Sequence, residues 1–246
     1  MTRIALVTGA MGGIGTAICR RLAAAGMRIA ANCLPGEPRR DEWLAAMRSE
    51  GMDVIAAEAD VSSFAECREM VARVSRDLGP VDVLVNCAGI TRDATLHKMD
   101  EEQWHSVIES NLTSLYNVTR QVIDGMAERG WGRVISLSSV NGTRGAFGQT
   151  NYAAAKAGVA GFSKALAQEM VKKGVTVNSV SPGFVETPMV RAIRPDVLKS
   201  LIDSIPIGRL ARPEEIAALI GFLASDDAAY ITGANIPING GLHMYG

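Results

Sequence analysis

Arg3-Ile4-Ala5-Leu6-Val7-Thr8-Gly9-Ala10-Met11-Gly12-Gly13-Ile14-Gly15 stands at the head of the chain and decides its fold. Residues 3–8 form a short, mostly apolar run, which reads as a strand buried on both faces. Glycines follow at once, and a helical pattern runs over about residues 13–25. Glycines between a strand and a helix allow a tight turn and close backbone approach, while the helix N-terminus attracts a pyrophosphate. The spacing is T-G-x-x-x-G-x-G on Gly9, Gly13 and Gly15, not the commoner G-x-G-x-x-G. A tight β–α turn with no ligand would use the same glycines, so the strand–turn–helix context carries the dinucleotide reading.

The alternation continues to the end of the chain. Further strands are expected at residues 27–32, 53–59, 81–86, 132–137, 175–180 and 235–238. Helices are expected at about 40–50, 65–78 and 101–129 (one long helix or a pair), after the fifth strand, and at 213–224, where Pro213 suits a first helical position. Strands that are apolar throughout and alternate with helices predict a parallel sheet covered on both faces. Right-handed crossovers make it a Rossmann-type, doubly wound α/β fold of seven strands, with ligands at the carboxyl ends. Pro237 makes the last strand an edge. No linker interrupts the pattern, so residues 1–246 read as a single domain. Residues 186–207, broken by Pro188, Pro195 and Pro206, read as a mobile lid over a substrate.

The bulk numbers exclude several classes. A formal net charge of −1 gives no basic field for nucleic acid, and no apolar run is long enough to span a bilayer. The first strand begins too early to leave room for a signal peptide, which points to the cytoplasm. Cys19, Cys33, Cys67 and Cys87 form no C-x-x-C, and His97, His105 and His243 are isolated. Reduced core cysteines and no metal site are expected.

The second strand's end separates the two nicotinamide cofactors. An acidic residue there would bond a ribose 2′-hydroxyl, and an arginine accommodates a 2′-phosphate. Here Asn32-Cys33-Leu34-Pro35-Gly36-Glu37-Pro38-Arg39-Arg40 has no carboxylate at the strand end, and Glu37 comes late in a turn. Arg39, or alternatively Arg40, can make charge-assisted bonds to a phosphate, which favours NADP, bound as NADPH. One of the pair fits equally well as a solvated residue at a helix start.

Tyr152 and Lys156 lie four residues apart in a helical run, and so on one face. A phenol titrates near ~10, and a neighbouring ammonium is expected to lower that value and let tyrosine exchange protons near neutral pH. Ser139, thirteen residues upstream at the end of the fifth strand, could hydrogen-bond the same substrate oxygen. The spacing alone would also suit a surface pair.

Taken together, the glycine loop, Asn86-Cys87-Ala88-Gly89, Asn111, Ser139, Tyr152-x-x-x-Lys156 and Ser181-Pro182-Gly183 resemble the short-chain dehydrogenase/reductase family over essentially the whole chain. Cys87 departs from the family's usual second asparagine. The resemblance implies catalytic roles: Tyr152 as general acid, Lys156 lowering its pKa and holding the nicotinamide ribose, Ser139 polarising the carbonyl, and Asn111 anchoring a water that links Lys156 to solvent. It also implies cofactor contacts from Gly9, Met11, Gly12, Gly13, Ile14, Gly15 and Arg39, from Asp60 and Val61 beside the adenine, from Asn86, Ala88 and Gly89, and from Pro182, Gly183, Phe184 and Val185 beside the nicotinamide.

Within the family, Ile90-Thr91-Arg92-Asp93, Trp131-Gly132-Arg133, Ser138-Ser139-Val140-Asn141-Gly142 and the terminal Asn239-Gly240-Gly241-Leu242-His243-Met244 look most like acetoacetyl-CoA reductases of polyhydroxybutyrate synthesis. The 3-oxoacyl-carrier-protein reductases share part of this pattern and are the alternative. The resemblance implies an acyl-CoA substrate and a homotetramer. Asp93, Phe147, Gln149 and Phe184 are candidates for the acyl pocket, although core packing accounts for Phe147 and Phe184 as well. Arg92, Arg144, Arg191 and Arg194 are available for CoA phosphates, or are solvated charges.

Overall fold

The computed structural model describes residues 2–191 and 194–244. Seven strands, β1 (Ile4–Val7), β2 (Arg28–Cys33), β3 (Val54–Glu58), β4 (Val83–Asn86), β5 (Gly132–Leu137), β6 (Val175–Pro182) and β7 (Asn235–Ile238), form one sheet in the order β3-β2-β1-β4-β5-β6-β7. Every pairing is parallel, and β7 lies at the edge, where Pro237 faces no outer partner strand. The order reverses direction between β1 and β4, which opens a crevice at their carboxyl ends.

The helices are α1 (Gly13–Ala24), α2 (Arg40–Ser49), α3 (Phe64–Asp77), α4 (Glu101–Ile108), α5 (Ser114–Arg129), α6 (Val140–Arg144), α7 (Thr150–Met170), α8 (Pro188–Arg191), α9 (Pro195–Asp203) and α10 (Pro213–Leu223). Alternate β1 side chains face opposite layers. Ala5 and Val7 join Ile18, Leu22, Leu44, Ile216 and Ile220 of α1, α2 and α10. Ile4 and Leu6 join Met70, Val74, Val118, Val122 and Met170 of α3, α5 and α7. Each fully buried aliphatic contributes about 1.5–3 kcal/mol, so these two layers fix the sheet between them. Caps start the helices where the sequence places them: Ser63 accepts from the Glu66 amide, and Asp100 and Gln103 bond each other's backbone N–H groups.

One expected element differs. The run over 101–129 is neither one α-helix nor two separated helices, because residues Glu109–Thr113 form a π-turn between α4 and α5. Asn111 sits in it, wholly buried, and its Nδ2 donates to Val107 O at 2.8 Å and to Ile90 O at 2.9 Å. The side chain ties the widened turn to the segment after β4. The expected lid, 186–207, contains α8 and α9 among its described residues, with 192–193 lying outside them. At the amino end of the sheet, Trp131 lies between the guanidiniums of Arg3 (3.7 Å) and Arg133 (4.4 Å), with Asp226 accepting from the indole at 3.0 Å.

Candidate active site

The glycine loop is held against the end of β4. Gly9 has φ +61, and a Cβ there would lie 2.9 Å from Ala88 Cα; a Cβ on Gly15 would lie 2.3 Å from Gly9 O. Neither position admits a side chain. Gly12 caps α1, whose first turn carries no acidic residue, so the amides of Gly13, Ile14 and Gly15 start a helix with no competing carboxylate. Two buried polar residues, not singled out in the sequence for this role, set the loop. Asn32 Oδ1 accepts from Gly9 N at 3.2 Å while its Nδ2 donates to Ala57 O and Ala59 O, both at 3.0 Å. Thr8 Oγ1 accepts from Cys87 N (2.9 Å) and Ala88 N (3.0 Å). A polar side chain inside an otherwise apolar strand was the available signal for Asn32.

The remaining cofactor candidates line the same crevice from other strands. Asn86 is buried and donates to Ser136 Oγ at 3.2 Å. Asp60 accepts from Ser62 N at 2.9 Å and Ser62 Oγ at 2.7 Å, and Asn117 of α5 fixes Val61 O at 3.0 Å. Gly183 packs on Asn239, where a Cβ would meet Cα at 2.9 Å, and Phe184 and Val185 pair with the backbone of Ala211. The two arginines differ in commitment. Arg40 is tied to Asp41 at 2.9 Å and to Glu58, whereas among the described residues the Arg39 side chain bonds only Glu37, at 2.8 Å, and is 65% exposed.

Tyr152 and Lys156 rise on α7, in its first two turns. Ser138 Oγ donates to Lys156 O at 2.7 Å and Lys156 Nζ donates to Leu137 O at 2.7 Å, so the ammonium is pinned to the end of β5. Gly142 permits this crossing, since a Cβ there would come 2.7 Å from the Lys156 backbone. Lys156 is 4% exposed, and burial pushes its pKa down to about 8. The expectation that this ammonium depresses the phenol is corrected. Withdrawal from solvent raises the Tyr152 pKa, Asp93 and Cys87 raise it further, and the opposing influence is Ser139. Lys156 Nζ stands 5.7 Å from the ring centroid, so the pair is near but not bonded. Tyr152 is thereby held as a neutral phenol, a proton donor.

Asn111 Oδ1 is buried with no hydrogen-bond donor among the described residues. It borders Gly89, where a Cβ would come 2.4 Å from it and 3.5 Å from Lys156 Nζ. The four catalytic candidates are thus gathered at one end of the sheet. The acyl-pocket candidates behave differently from one another. Phe147 is 94% exposed, which removes core packing as its explanation, and Arg144 lies over the Phe184 ring at 5.8 Å. Gln149 Nε2 donates to Asp93 Oδ2 at 2.8 Å.

A family model described as enoyl-(acyl carrier protein) reductase matches residues 9–243. The chain belongs to the short-chain dehydrogenase/reductase family. It is 58% identical to the acetoacetyl-CoA reductase of Allochromatium vinosum over 246 residues, the full length of both. It is 55% identical to the acetoacetyl-CoA reductase of Cupriavidus necator over 98% of each chain, and 44% identical to the 3-oxoacyl-[acyl-carrier-protein] reductase of Escherichia coli, again over 98% of each.

As a member of this family the protein is an oxidoreductase that works with a nicotinamide cofactor. The residues fit such a group: the loop at Gly9 and Gly15 is cleared of side chains, and Asn111 presents an orphaned acceptor beside Lys156. Asn151, adjacent to Tyr152, went unassigned in the sequence, yet it ties the start of α7 to Arg92 O (3.1 Å) and Gln103 O (2.9 Å) while accepting from Tyr152 N at 2.7 Å. Among the described residues no helix is long and apolar enough to cross a membrane.

Proposed function

We propose that this protein reduces acetoacetyl-CoA to (R)-3-hydroxybutyryl-CoA with NADPH in the cytoplasm, within polyhydroxybutyrate synthesis. The observation that carries the substrate is the identity of 55–58% to acetoacetyl-CoA reductases over the whole chain, against 44% to a carrier-protein reductase. A nicotinamide held in this crevice would supply the hydride. Tyr152, kept protonated by its surroundings, gives its proton to the ketone oxygen as that oxygen gains charge. Ser139 donates a hydrogen bond to the same oxygen and stabilises the charge. Lys156 then refills Tyr152, and Asn111 Oδ1 holds a water on the path from Lys156 to solvent. Met11, Gly12 and Gly13 would cradle the pyrophosphate, and residues 186–207, with α8 and α9, would close over the substrate. Turnover itself is the test: no NADPH oxidation with acetoacetyl-CoA would overturn the reading.

The NADP preference rests on Arg39, exposed and held by one neighbouring carboxylate, while Arg40 is committed to Asp41 and Glu58. A bidentate arginine–phosphate pair is worth more than a solvated one. Arg39→Ala is therefore expected to raise KM for NADPH by about tenfold or more, and KM for NADH by much less, in line with the loss of a charged hydrogen bond. Equal losses for the two nucleotides would move the role to Arg40.

A homotetramer is proposed as well. Tyr116 is exposed on α5, and together with Ile123, Phe162 and Leu166 it lines a groove of about 480 Å³ between α5 and α7. Its apolar floor, rimmed by Arg120, Asp124 and Glu169, suits a second copy.

A further inference from the structure

Ser139 is reached by a chain of hydrogen bonds that the mechanism above does not use. Its Oγ accepts from the backbone N–H of Asn141 at 3.1 Å, as the cap of α6. The Asn141 side chain donates through Nδ2 to Gln149 Oε1 at 2.9 Å, and Gln149 donates through Nε2 to Asp93 Oδ2 at 2.8 Å. The two loops are stitched in parallel by the Ala94 amide, which donates to Gly148 O at 2.9 Å. Gln149 also stands at the N-cap position of α7, three residues before Tyr152.

The chain has a direction imposed by chemistry. An ionised carboxylate only accepts, so Asp93 must take the amide N–H of Gln149, and Gln149 must turn its oxygen toward Asn141. Asn141 is then obliged to donate, which leaves its own oxygen toward Arg144 Nε at 3.4 Å. Every amide is oriented by one charged end. At the other end, a serine hydroxyl has one proton and two acceptor positions. With one acceptor position filled by the Asn141 N–H, the hydroxyl proton is left for another oxygen, and Ser139 is close enough to Tyr152 to oppose the rise of its pKa.

We propose that Asn141 is a positioning residue for Ser139, held in register by Gln149 and Asp93, so that seating the acyl loops and aiming the carbonyl-polarising hydroxyl are one event. This deepens the reductase reading and rests on it. It also reassigns Asp93 and Gln149, from walls of the acyl pocket to the fixed end of this relay.

A kinetic cycle tests it. Asn141→Ala lowers kcat by about tenfold or more with KM for NADPH unchanged, because the lost alignment matters only as charge develops on the ketone oxygen. Asn141→Asp, equal in size, falls as far: its carboxylate would face Gln149 Oε1, and Gln149 cannot turn while Asp93 holds its N–H. A residue that merely fills space would tolerate that change. In a Ser139→Ala background, Asn141→Ala costs no more than about a further twofold, since a residue that acts through Ser139 has nothing left to position. Wild-type kcat in either single variant, or losses that multiply in the double variant, overturns the proposal. If the wild-type protein fails to reduce acetoacetyl-CoA, the functional reading falls separately. The crystal structure of Asn141→Ala then decides the relay alone: a turned Ser139 side chain supports it, and an unchanged contact between Ser139 Oγ and the residue 141 amide overturns it.

Discussion

Tyr152→Phe is expected to lower kcat by about 10²- to 10⁴-fold, the range a positioned acid contributes, while NADPH affinity stays near that of the wild type. The substitution removes one oxygen and leaves the ring in its place on α7. Withdrawal from solvent, Asp93 and Cys87 all favour the protonated form, against the opposing influence of Ser139. A group held as a neutral acid is spent only when the ketone oxygen becomes basic, so its loss appears in the chemical step rather than in binding. Steady-state kinetics and NADPH titration by fluorescence separate the two. An unchanged kcat would remove Tyr152 from the mechanism.

Lys156→Met is the second large effect, and it separates activity from stability. Activity should fall by on the order of 10²-fold or more, because proton refilling of Tyr152 is lost. Stability of the ligand-free protein at pH 7 should not fall with it. The buried ammonium titrates at about 8 in the folded state against an ordinary 10.5, a cost of about 3 kcal/mol at neutral pH. Methionine removes that cost, and the Leu137 carbonyl left behind returns about 1–3 kcal/mol of it. The sign with pH follows. Below about pH 8 both states hold the proton and the full cost stands. Between about 8 and 10.5 the unfolded state binds the proton and the folded state does not, so wild-type stability rises relative to the variant. Urea midpoints at pH 7 and pH 9.5 should show the difference moving in favour of the wild type at the higher pH. A difference independent of pH would mean that Lys156 is not buried at this cost.

The fold was legible because its decisive signals are local. Apolar strands, the glycines after β1 and Pro213 at the start of α10 each constrain backbone geometry where they stand. The catalytic candidates were legible for the same reason, since Tyr152 and Lys156 share a helix face by spacing alone. What escaped depends on contacts between distant segments. The π-turn around Asn111 arises because that side chain bonds both Val107 O and Ile90 O, and helical periodicity does not encode it. Spacing gives the proximity of Lys156 and Tyr152 but not direction: the ammonium turns to Leu137 O, and burial dominates both groups. Asn32, Thr8 and Asn151 work by joining loops far apart in sequence. The difference between Arg39 and Arg40 was equally hidden, because it depends on Glu58 reaching Arg40 from β3.

The central claim is that this crevice delivers hydride and proton to a CoA-linked 3-oxoacyl group. The most direct measurement is kcat/KM for acetoacetyl-CoA and for acetoacetyl-carrier protein, each with NADPH and with NADH. The account predicts the highest value for acetoacetyl-CoA with NADPH, with (R)-3-hydroxybutyryl-CoA as product. A clear preference for the carrier-protein substrate, or for NADH, would contradict it.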